Sequence, residues 1–310
     1  MLKVLTIWRG RRSTGRRFLQ TKSNEVSPMN KKNEVRAFYD EIGWKLESDG
    51  HFQNARYEDL RPVSAEYIHR CHLRIPKYFE EGGKYLLDIG SGPVQYPEYL
   101  TYSKKFDLRV CFDISITALE EARKKIGDKG LYVVGDAANL PFAPDVFDGI
   151  VSLHTFHHLT LDEQREAWKE VYRTLRSKKN AVVVNGWTES EMMQKWLPAV
   201  KFMESLGSIV ALLRGRKKPL DSKQKSGKAK PTGTFIQKMD ANWIRSELPK
   251  IAPTANITIR CWRSVSVRWL RAIVHKPYGK KLLRRLFKKE EEDSQTYGER
   301  GQYPMIILSK

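Results

Sequence analysis

The chain has 310 residues, which is enough for one large α/β domain with additions. Its formal net charge of +20 is high for an enzyme of small metabolites and indicates an anionic partner surface or simply solubility. The three cysteines lie far apart without zinc or redox spacing, and no apolar stretch is long enough to span a bilayer. With no secretory signal, we expect a reducing compartment.

Residues 1–28 are rich in arginine and contain no acid before Glu25. We expect residues 1–32 to form a disordered basic arm or an upstream extension, with Met29 as the working start. A second interpretation is a mitochondrial transit peptide, because such peptides are Arg-rich and poor in acids. A third is a nucleic-acid-binding arm, although aromatic interleaving is absent. Without a transit peptide, the expected location is cytoplasmic, with peripheral contact to a membrane.

Residues 33–80 are predicted to form a helical cap in front of the sheet. It begins near Val35, and a later helix is expected from Tyr57 to about Phe79, bent or divided at Pro76. Tyr39 lies in a Tyr-Asp pair, and the aromatic residues here are either ordinary core residues or contacts to a ligand site.

The stretch from residue 85 to residue 93, YLLDIGSGP, predicts a buried strand that ends in a glycine turn. Gly90 and Gly92 lack a Cβ, so the backbone can turn tightly and approach a ligand closely. A dinucleotide fingerprint would place a third glycine where Gln95 stands. The pattern that remains is Asp88-x-Gly90-x-Gly92.

Two further predicted strands also end in an acid. Asp113 closes the strand 108–113, about twenty residues beyond the glycine turn, at the spacing where a carboxylate reaches ribose hydroxyls. Asp136 ends the strand 131–137. Strands at 147–152 and 181–185 follow, and they alternate with helices that Ser115 and Thr160 can cap, which predicts a parallel sheet with right-handed crossovers.

These motifs resemble class I S-adenosylmethionine-dependent methyltransferases, and most closely the branch that includes ubiquinone and menaquinone biosynthesis enzymes. The resemblance covers residues 85–187 and includes Leu140-Pro141-Phe142 and Phe147-Asp148. It implies a Rossmann-like, doubly wound, mostly parallel seven-stranded α/β sheet with helices on both faces, and S-adenosylmethionine as cofactor. The residues that it assigns to the cofactor are Asp88, Gly90, Ser91 and Gly92 at the methionine part, Asp113 with Ile114 at the ribose, and Asp136 with Ala137 at the adenine.

A histidine run, His154, His157 and His158, follows the fourth strand. We expect no metal, because no further ligand or supporting acid appears at a defined spacing. A neutral histidine could instead act as a base toward a substrate hydroxyl. His154, His158 and Tyr39 are therefore the candidate catalytic residues.

The domain at residues 81–310 contains an insertion at 188–240 with an apolar helix and a basic loop. This insertion is either a lid over an apolar acceptor or a solvated loop beside a packed helix. Residues 280–289 form a basic amphipathic helix, which either lies on an anionic membrane or is an ordinary surface helix that packs its apolar stripe on the sheet. Strands are expected at 257–262 and 303–308.

The sequence favours a methyltransferase that acts on a small acceptor, apolar or membrane-associated. The alternatives are an RNA methyltransferase, which the charge suggests but no RNA-binding module supports, and a cofactor-binding regulator or assembly factor without turnover. The partners expected are a small molecule and an anionic membrane surface, with nucleic acid less favoured. The sequence does not define an oligomeric state.

Overall fold

A computed structural model describes residues 28–45, 52–213 and 235–310. Its centre is a seven-stranded sheet in the order β3-β2-β1-β4-β5-β7-β6. The first five strands pair in parallel, and β7 runs antiparallel to both of its neighbours. The predicted Rossmann-like, mostly parallel sheet is confirmed. The strands are β1 (Gly83–Ile89), β2 (Phe106–Asp113), β3 (Gly130–Val134), β4 (Phe147–Leu153), β5 (Leu175–Val184), β6 (Asn256–Arg263) and β7 (Tyr303–Ser309).

Helices cover both faces of this sheet. They are α1 (Pro28–Phe38), α2 (Ala65–His72), α3 (Ile116–Ile126), α4 (Leu161–Thr174), α5 (Glu191–Leu213), α6 (Ala241–Ile251), α7 (Val267–Ile273), α8 (Gly279–Glu292) and α9 (Ser294–Arg300). Helices α4 and α6 pack on one face, and α3 packs on the other with two 3-10 turns. Ser115 and Thr160 cap α3 and α4 as expected, and Glu163 completes a capping box with Thr160.

The sheet buries both faces because successive side chains of a strand point in opposite directions. In β1, Leu87 contacts the cluster under α4 and α6, while Leu86 contacts the cluster under α3. In β5, Val183 contacts the cluster under α4 and α6, and Val182 contacts the cluster under α3. A strand covered on both faces is therefore a continuous apolar run in the sequence. Such runs allowed the strand positions to be predicted.

A third hydrophobic cluster joins α2, α5, α7 and α8 beside the sheet. Glu290 of α8 is fully buried and ties this layer to β6. Its carboxylate accepts hydrogen bonds from Tyr67 Oη at 2.7 Å and from the backbone N of Ser264 at 3.0 Å, and it pairs with Arg74 at 3.0 Å. A buried charge with this many partners fixes the position of α8.

Several elements differ from the sequence predictions. Helix α1 begins at Pro28, so residues 28–32 belong to the helical cap rather than to the arm; proline is favoured at a first helical position. The predicted helix from Tyr57 to Phe79 is present only in part: α2 covers Ala65–His72, and a 3-10 turn covers Pro76–Phe79. Asp59 accepts from Arg61 Nε at 2.7 Å and from Ser64 Oγ at 2.6 Å, which folds residues 59–64 into a turn before α2.

The basic helix at 280–289 is a surface helix, but its apolar stripe packs in the third cluster rather than on the sheet as expected. Leu283 and Phe287 are buried in the third cluster, against α2, while the lysines and arginines of α8 face solvent. Residues 1–27 and the basic loop at 214–234 lie outside the described residues, so those predictions are not addressed by the structure. Within the described ranges, no helix combines the length and apolarity that a bilayer crossing requires.

Candidate active site

A cavity of about 680 Å³ opens at the carboxyl ends of the parallel strands. The chain runs from β1 outward to β3 and then returns to β4 on the other side of β1, so the strand order reverses between these two strands. Ligands of open α/β sheets bind at such a switch point. All residues that the sequence analysis assigned to the site line this cavity: Tyr39, Asp88, Gly90, Ser91, Gly92, Asp113, Ile114, Asp136, Ala137, His154 and His158.

The glycine turn after β1 has the backbone conformation that the sequence predicted. Gly90 has a φ of 68° and Gly92 a φ of 53°, a region that favours glycine. A Cβ on Gly90 would lie 2.1 Å from Thr155 Oγ1, on the loop that follows β4. A Cβ on Gly92 would lie 3.0 Å from the ring of Trp44. The turn is therefore enclosed by the cap on one side and by β4 on the other.

Asp113 at the end of β2 holds this turn in place. Its Oδ2 accepts a hydrogen bond from Gly92 N at 2.8 Å, and its Oδ1 accepts one from Ser115 N at 2.9 Å. Burial raises the pKa of Asp113 to about 6, although the two backbone donors oppose the shift. Each carboxylate oxygen retains a further lone pair for a ligand hydroxyl at the cavity wall.

Asp88 is more buried than its motif suggests. Its carboxylate pairs with Arg109 of β2, whose Nε lies 3.1 Å away, and Arg109 Nη1 donates to Tyr99 O at 2.6 Å. Burial raises the pKa of Asp88, and the guanidinium opposes that shift. The acid therefore fixes the wall of the cavity through Arg109, and its predicted contact with the methionine part stays a prediction.

Asp136, after β3, lies under the helical cap. Its carboxylate pairs with Lys32 of α1, and Lys32 Nζ also lies 2.8 Å from Glu163 of α4. Burial by itself lowers the pKa of Lys32, but the hydrogen bonds from the two acids raise it above its usual value. Helix α1 is thus held over the end of the cavity that contains Asp136 and Ala137.

The remainder of the cap reaches the histidine run. Tyr39 Oη lies 2.8 Å from His158 Nε2, and the Tyr39 ring stacks on Trp44 at 5.0 Å between centroids. His158 Nδ1 lies 2.9 Å from Phe235 O, which can only accept. His158 therefore carries its proton on Nδ1, and Tyr39 donates to Nε2. Tyr39 and His158, two of the candidate catalytic residues, are therefore hydrogen-bonded to each other across the cavity.

The three histidines are neutral at physiological pH. Burial lowers the pKa of His154 to about 3, that of His157 well below its usual value, and that of His158 in the same direction. His154 packs edge-on against Trp262 at 5.0 Å and Tyr303 at 5.5 Å. His157 Nδ1 lies 3.3 Å from Asn185 Oδ1, which leaves the lone pair on Nε2.

Sequence reasoning missed several residues of the cavity. Because β7 is antiparallel, its first residue, Tyr303, lies at the same edge of the sheet as Trp262 and Arg263 at the end of β6. Lys238 lies near the end of the insertion, and nothing in its sequence context marks it. Trp262 and Arg263 lie at the end of a predicted strand, and that position could have identified them as cavity residues. In residues 28–45, 52–213 and 235–310, no three His, Cys, Asp or Glu side chains are grouped so that they could hold a metal ion.

The cavity fits S-adenosylmethionine by its chemistry. Carboxylates stand at the ends of β1, β2 and β3, and apolar side chains of Phe112, Ile114 and Ala137 line the same end of the cavity. Carboxylates accept from ribose hydroxyls and from amino groups, and an apolar slot accepts an adenine ring. Sheet order, glycine turn and strand-end acids together define a class I S-adenosylmethionine-dependent methyltransferase fold.

Residues 87–183 match the family model described as a methyltransferase domain, so the chain carries a methyltransferase domain of this class. A phosphoethanolamine N-methyltransferase 1 of Haemonchus contortus, solved with phosphoethanolamine and S-adenosylhomocysteine, superposes with a TM-score of 0.53. It is 11% identical, and the match covers 92% of this chain and 50% of that one. This likeness shows the fold.

Three curated relatives match shorter stretches. An uncharacterized methyltransferase of Geobacillus sp. (strain WCH70) is 44% identical over 36% of this chain and 49% of its own length. A demethylmenaquinone methyltransferase of Roseiflexus sp. (strain RS-1) is 33% identical over 29% and 37%. A tRNA (carboxymethyluridine(34)-5-O)-methyltransferase of Arabidopsis thaliana is 25% identical over 46% of this chain and 39% of its own length. The matches span half or less of these relatives.

Proposed function

We propose that the chain binds S-adenosylmethionine at the acidic end of the cavity and transfers its methyl group to a small acceptor at the other end. The observation that carries this proposal is that one cavity joins both sets of residues. Strand-end carboxylates and the glycine turn line one end, while neutral histidines and aromatic rings line the other. A cavity of about 680 Å³ offers room beyond a cofactor for an acceptor of modest size.

The chain's own residues act mainly by positioning. The cofactor, when bound, supplies a methyl group on a sulfonium with a good leaving group. Asp113, the glycine turn and Asp136 orient the cofactor, and the aromatic walls align an acceptor with it, so proximity is the main contribution to rate. Trp44 and Tyr39 cover the turn and keep water from the reacting atoms. His157, neutral and with a lone pair on Nε2, can accept a hydrogen bond from an acceptor hydroxyl and so orient it.

We further propose that the acceptor is apolar over much of its length and reaches the cavity from an anionic membrane surface. Helix α5 supports this, because Phe202, Leu206 and Ile209 follow one face and are 67%, 43% and 54% exposed. The same layer of helices carries exposed cations, and the sequence has no acid from residue 249 to residue 289. An exposed apolar stripe beside cationic groups matches an acidic lipid surface.

The test of the transferase begins with calorimetry of S-adenosylmethionine, S-adenosylhomocysteine and NAD. We expect the first two to bind with comparable affinity, since they share the adenosine and amino-acid parts, and NAD not to bind. Labelled methyl transfer is then measured with lipid extract, metabolite pools and RNA as acceptors. Binding without transfer to any pool would support a cofactor-binding regulator, and transfer to RNA alone would favour the RNA alternative, which the net charge and the Arabidopsis relative suggest.

A further inference from the structure

Lys238 is the cation of the cavity without a counterion in the described structure. Lys32 pairs with Asp136 and Glu163, Arg263 Nη1 lies 2.6 Å from Glu58, and Arg268 pairs with Glu204 at 2.7 Å. Among residues 28–45, 52–213 and 235–310, no hydrogen bond or ion pair joins the Lys238 ammonium to another group. Its pKa is lowered, and burial is the cause.

The backbone holds Lys238 firmly in this position. Gln237 N donates to His157 O at 2.7 Å, and Thr188 Oγ1 donates to Lys238 O at 2.9 Å. The ammonium lies over Gly186, where its Nζ would be 3.2 Å from an added Cβ. A half-buried ammonium held away from carboxylates carries an unrecovered desolvation cost, which an anionic ligand would offset.

The neighbours of Lys238 are suited to an acidic oxygen. Its positive charge contributes to the lowered pKa values of His154 and His157, so it acts on the same region of the cavity as the two neutral rings. Arg263 Nε and Trp262 Nε1, which are buried at this end, have no hydrogen-bond partner in the described structure. Both of these donor atoms are closed off from solvent, so the ammonium is the donor that this end of the cavity presents to an acceptor atom.

We propose that the acceptor is methylated on an acidic oxygen, a carboxylate, phenolate or enolate, that pairs with the Lys238 ammonium. This inference rests on the proposed transferase function. A lone pair of the oxyanion forms the new O–C bond while the C–S bond breaks and its electron pair remains on sulfur, which becomes a neutral thioether. The acceptor enters the cavity already ionised, having left its proton in solvent. The cation and the anion neutralise each other, and no other reactant is needed.

The experiment compares benzoate with benzamide, which have similar shape and differ in charge, in the presence of saturating S-adenosylhomocysteine. Binding is measured by ligand-observed NMR. We expect wild type to bind benzoate at least about tenfold more tightly than benzamide. Lys238→Met should remove this preference, and Lys238→Arg should keep it. Lys195→Met, at an exposed lysine of α5 that pairs with Glu191, is the matched control and should behave as wild type.

Equal binding of the two probes to wild type, or a charge preference that survives Lys238→Met, would overturn the proposal. So would failure of benzoate to bind wild type at millimolar concentration. Affinity for S-adenosylhomocysteine, measured separately, separates the two levels of inference. If it is absent, the transferase function fails; if it is intact in every variant while the charge preference is missing, only the oxyanion subsite fails.

Discussion

At the scale of single residues, Asp113 links the glycine turn to the end of the cavity where we propose that the cofactor binds. Its folded-state pKa of about 6 lies above the usual value for an aspartate, so the folded protein holds this proton more strongly than the unfolded chain. The contribution of Asp113 to stability is therefore largest at low pH and decreases as the pH rises from about 4 to about 6. Cofactor affinity should change in the opposite direction, because hydroxyl donors favour the ionised carboxylate.

We predict that affinity for S-adenosylhomocysteine rises about tenfold between about pH 5 and about pH 7, as Asp113 ionises. Calorimetry across this range measures the change. Asp113→Asn should flatten the profile and weaken binding at neutral pH by about 1–3 kcal/mol, the scale for unsatisfied polar partners. A pH profile that is the same in wild type and variant would assign the titration to another group.

The glycine turn gives a second test at this scale. Gly90→Ala places a methyl group against Thr155 in a left-handed conformation, and we predict a loss of about 1–3 kcal/mol in the free energy of unfolding. Gly207 of α5 is the control, because an added Cβ there meets nothing within 4 Å. Gly207→Ala should instead stabilise by about 0.5–1 kcal/mol. Denaturant melts of both variants measure the difference, and equal effects would contradict the geometry.

The sequence could predict residues that belong to a local motif, and it could not predict their long-range partners. Asp88, Asp113 and Asp136 were identifiable because each follows an apolar strand at a regular spacing. Lys32 lies 104 positions from Asp136, and Tyr39 lies 119 positions from His158. No periodicity records such pairs, since they depend on how the cap crosses the finished sheet.

At the scale of elements, the first helix and the turn after it form the cover of the cofactor end. Lys32, Tyr39 and Trp44 each contact a different part of the cavity wall. Periodicity located most helices and strands, but it misplaced the region 57–79. There the hydrogen bonds of Asp59 to Arg61 and Ser64 form a turn that an apolar pattern does not reveal.

We predict that deleting residues 1–27 leaves the melting temperature and cofactor affinity unchanged, whereas deleting residues 1–45 weakens cofactor binding, because it removes the cover. Lys32→Met should weaken binding by a smaller amount, since one anchor of α1 is lost. Lys124→Met, which breaks an exposed pair with Glu121, is the control and should have no effect. A large drop in melting temperature for the 1–27 deletion would show that this segment packs.

At the scale of the whole molecule, one end of the cavity could be predicted from the sequence and the other could not. The two ends differ in how many separate parts of the chain form them. The cofactor end is built from β1, β2 and β3 and the loops that directly follow them, so one stretch of sequence specifies it. The end proposed for the acceptor combines residues from the cap, the loop after β4, β6, β7 and the end of the insertion. Its composition depends on the reversed direction of β7, which brings Tyr303 beside Trp262.

The layer of α2, α5, α7 and α8 carries the surface that we propose contacts a membrane. The apolar stripe of α8 is used inside the protein, so the apolar contribution to binding must come from α5. The cationic side chains of α8 contribute attraction to acidic lipids of about 1 kcal/mol each near the surface. Salt screens that attraction, while the apolar contribution of α5 persists.

We therefore predict that acidic vesicles pull the protein down at low salt and release most of it at high salt, and that neutral vesicles bind it weakly. Phe202→Glu with Leu206→Glu should reduce binding at both salt concentrations, because the apolar stripe is lost. Lys281→Glu with Arg285→Glu should abolish the part that depends on salt. Leu131→Glu, at a leucine that is 45% exposed on the far edge strand against 43% for Leu206, is the control. If the protein ignores acidic vesicles and binds RNA tightly at physiological salt, the membrane proposal fails and the RNA alternative takes first place.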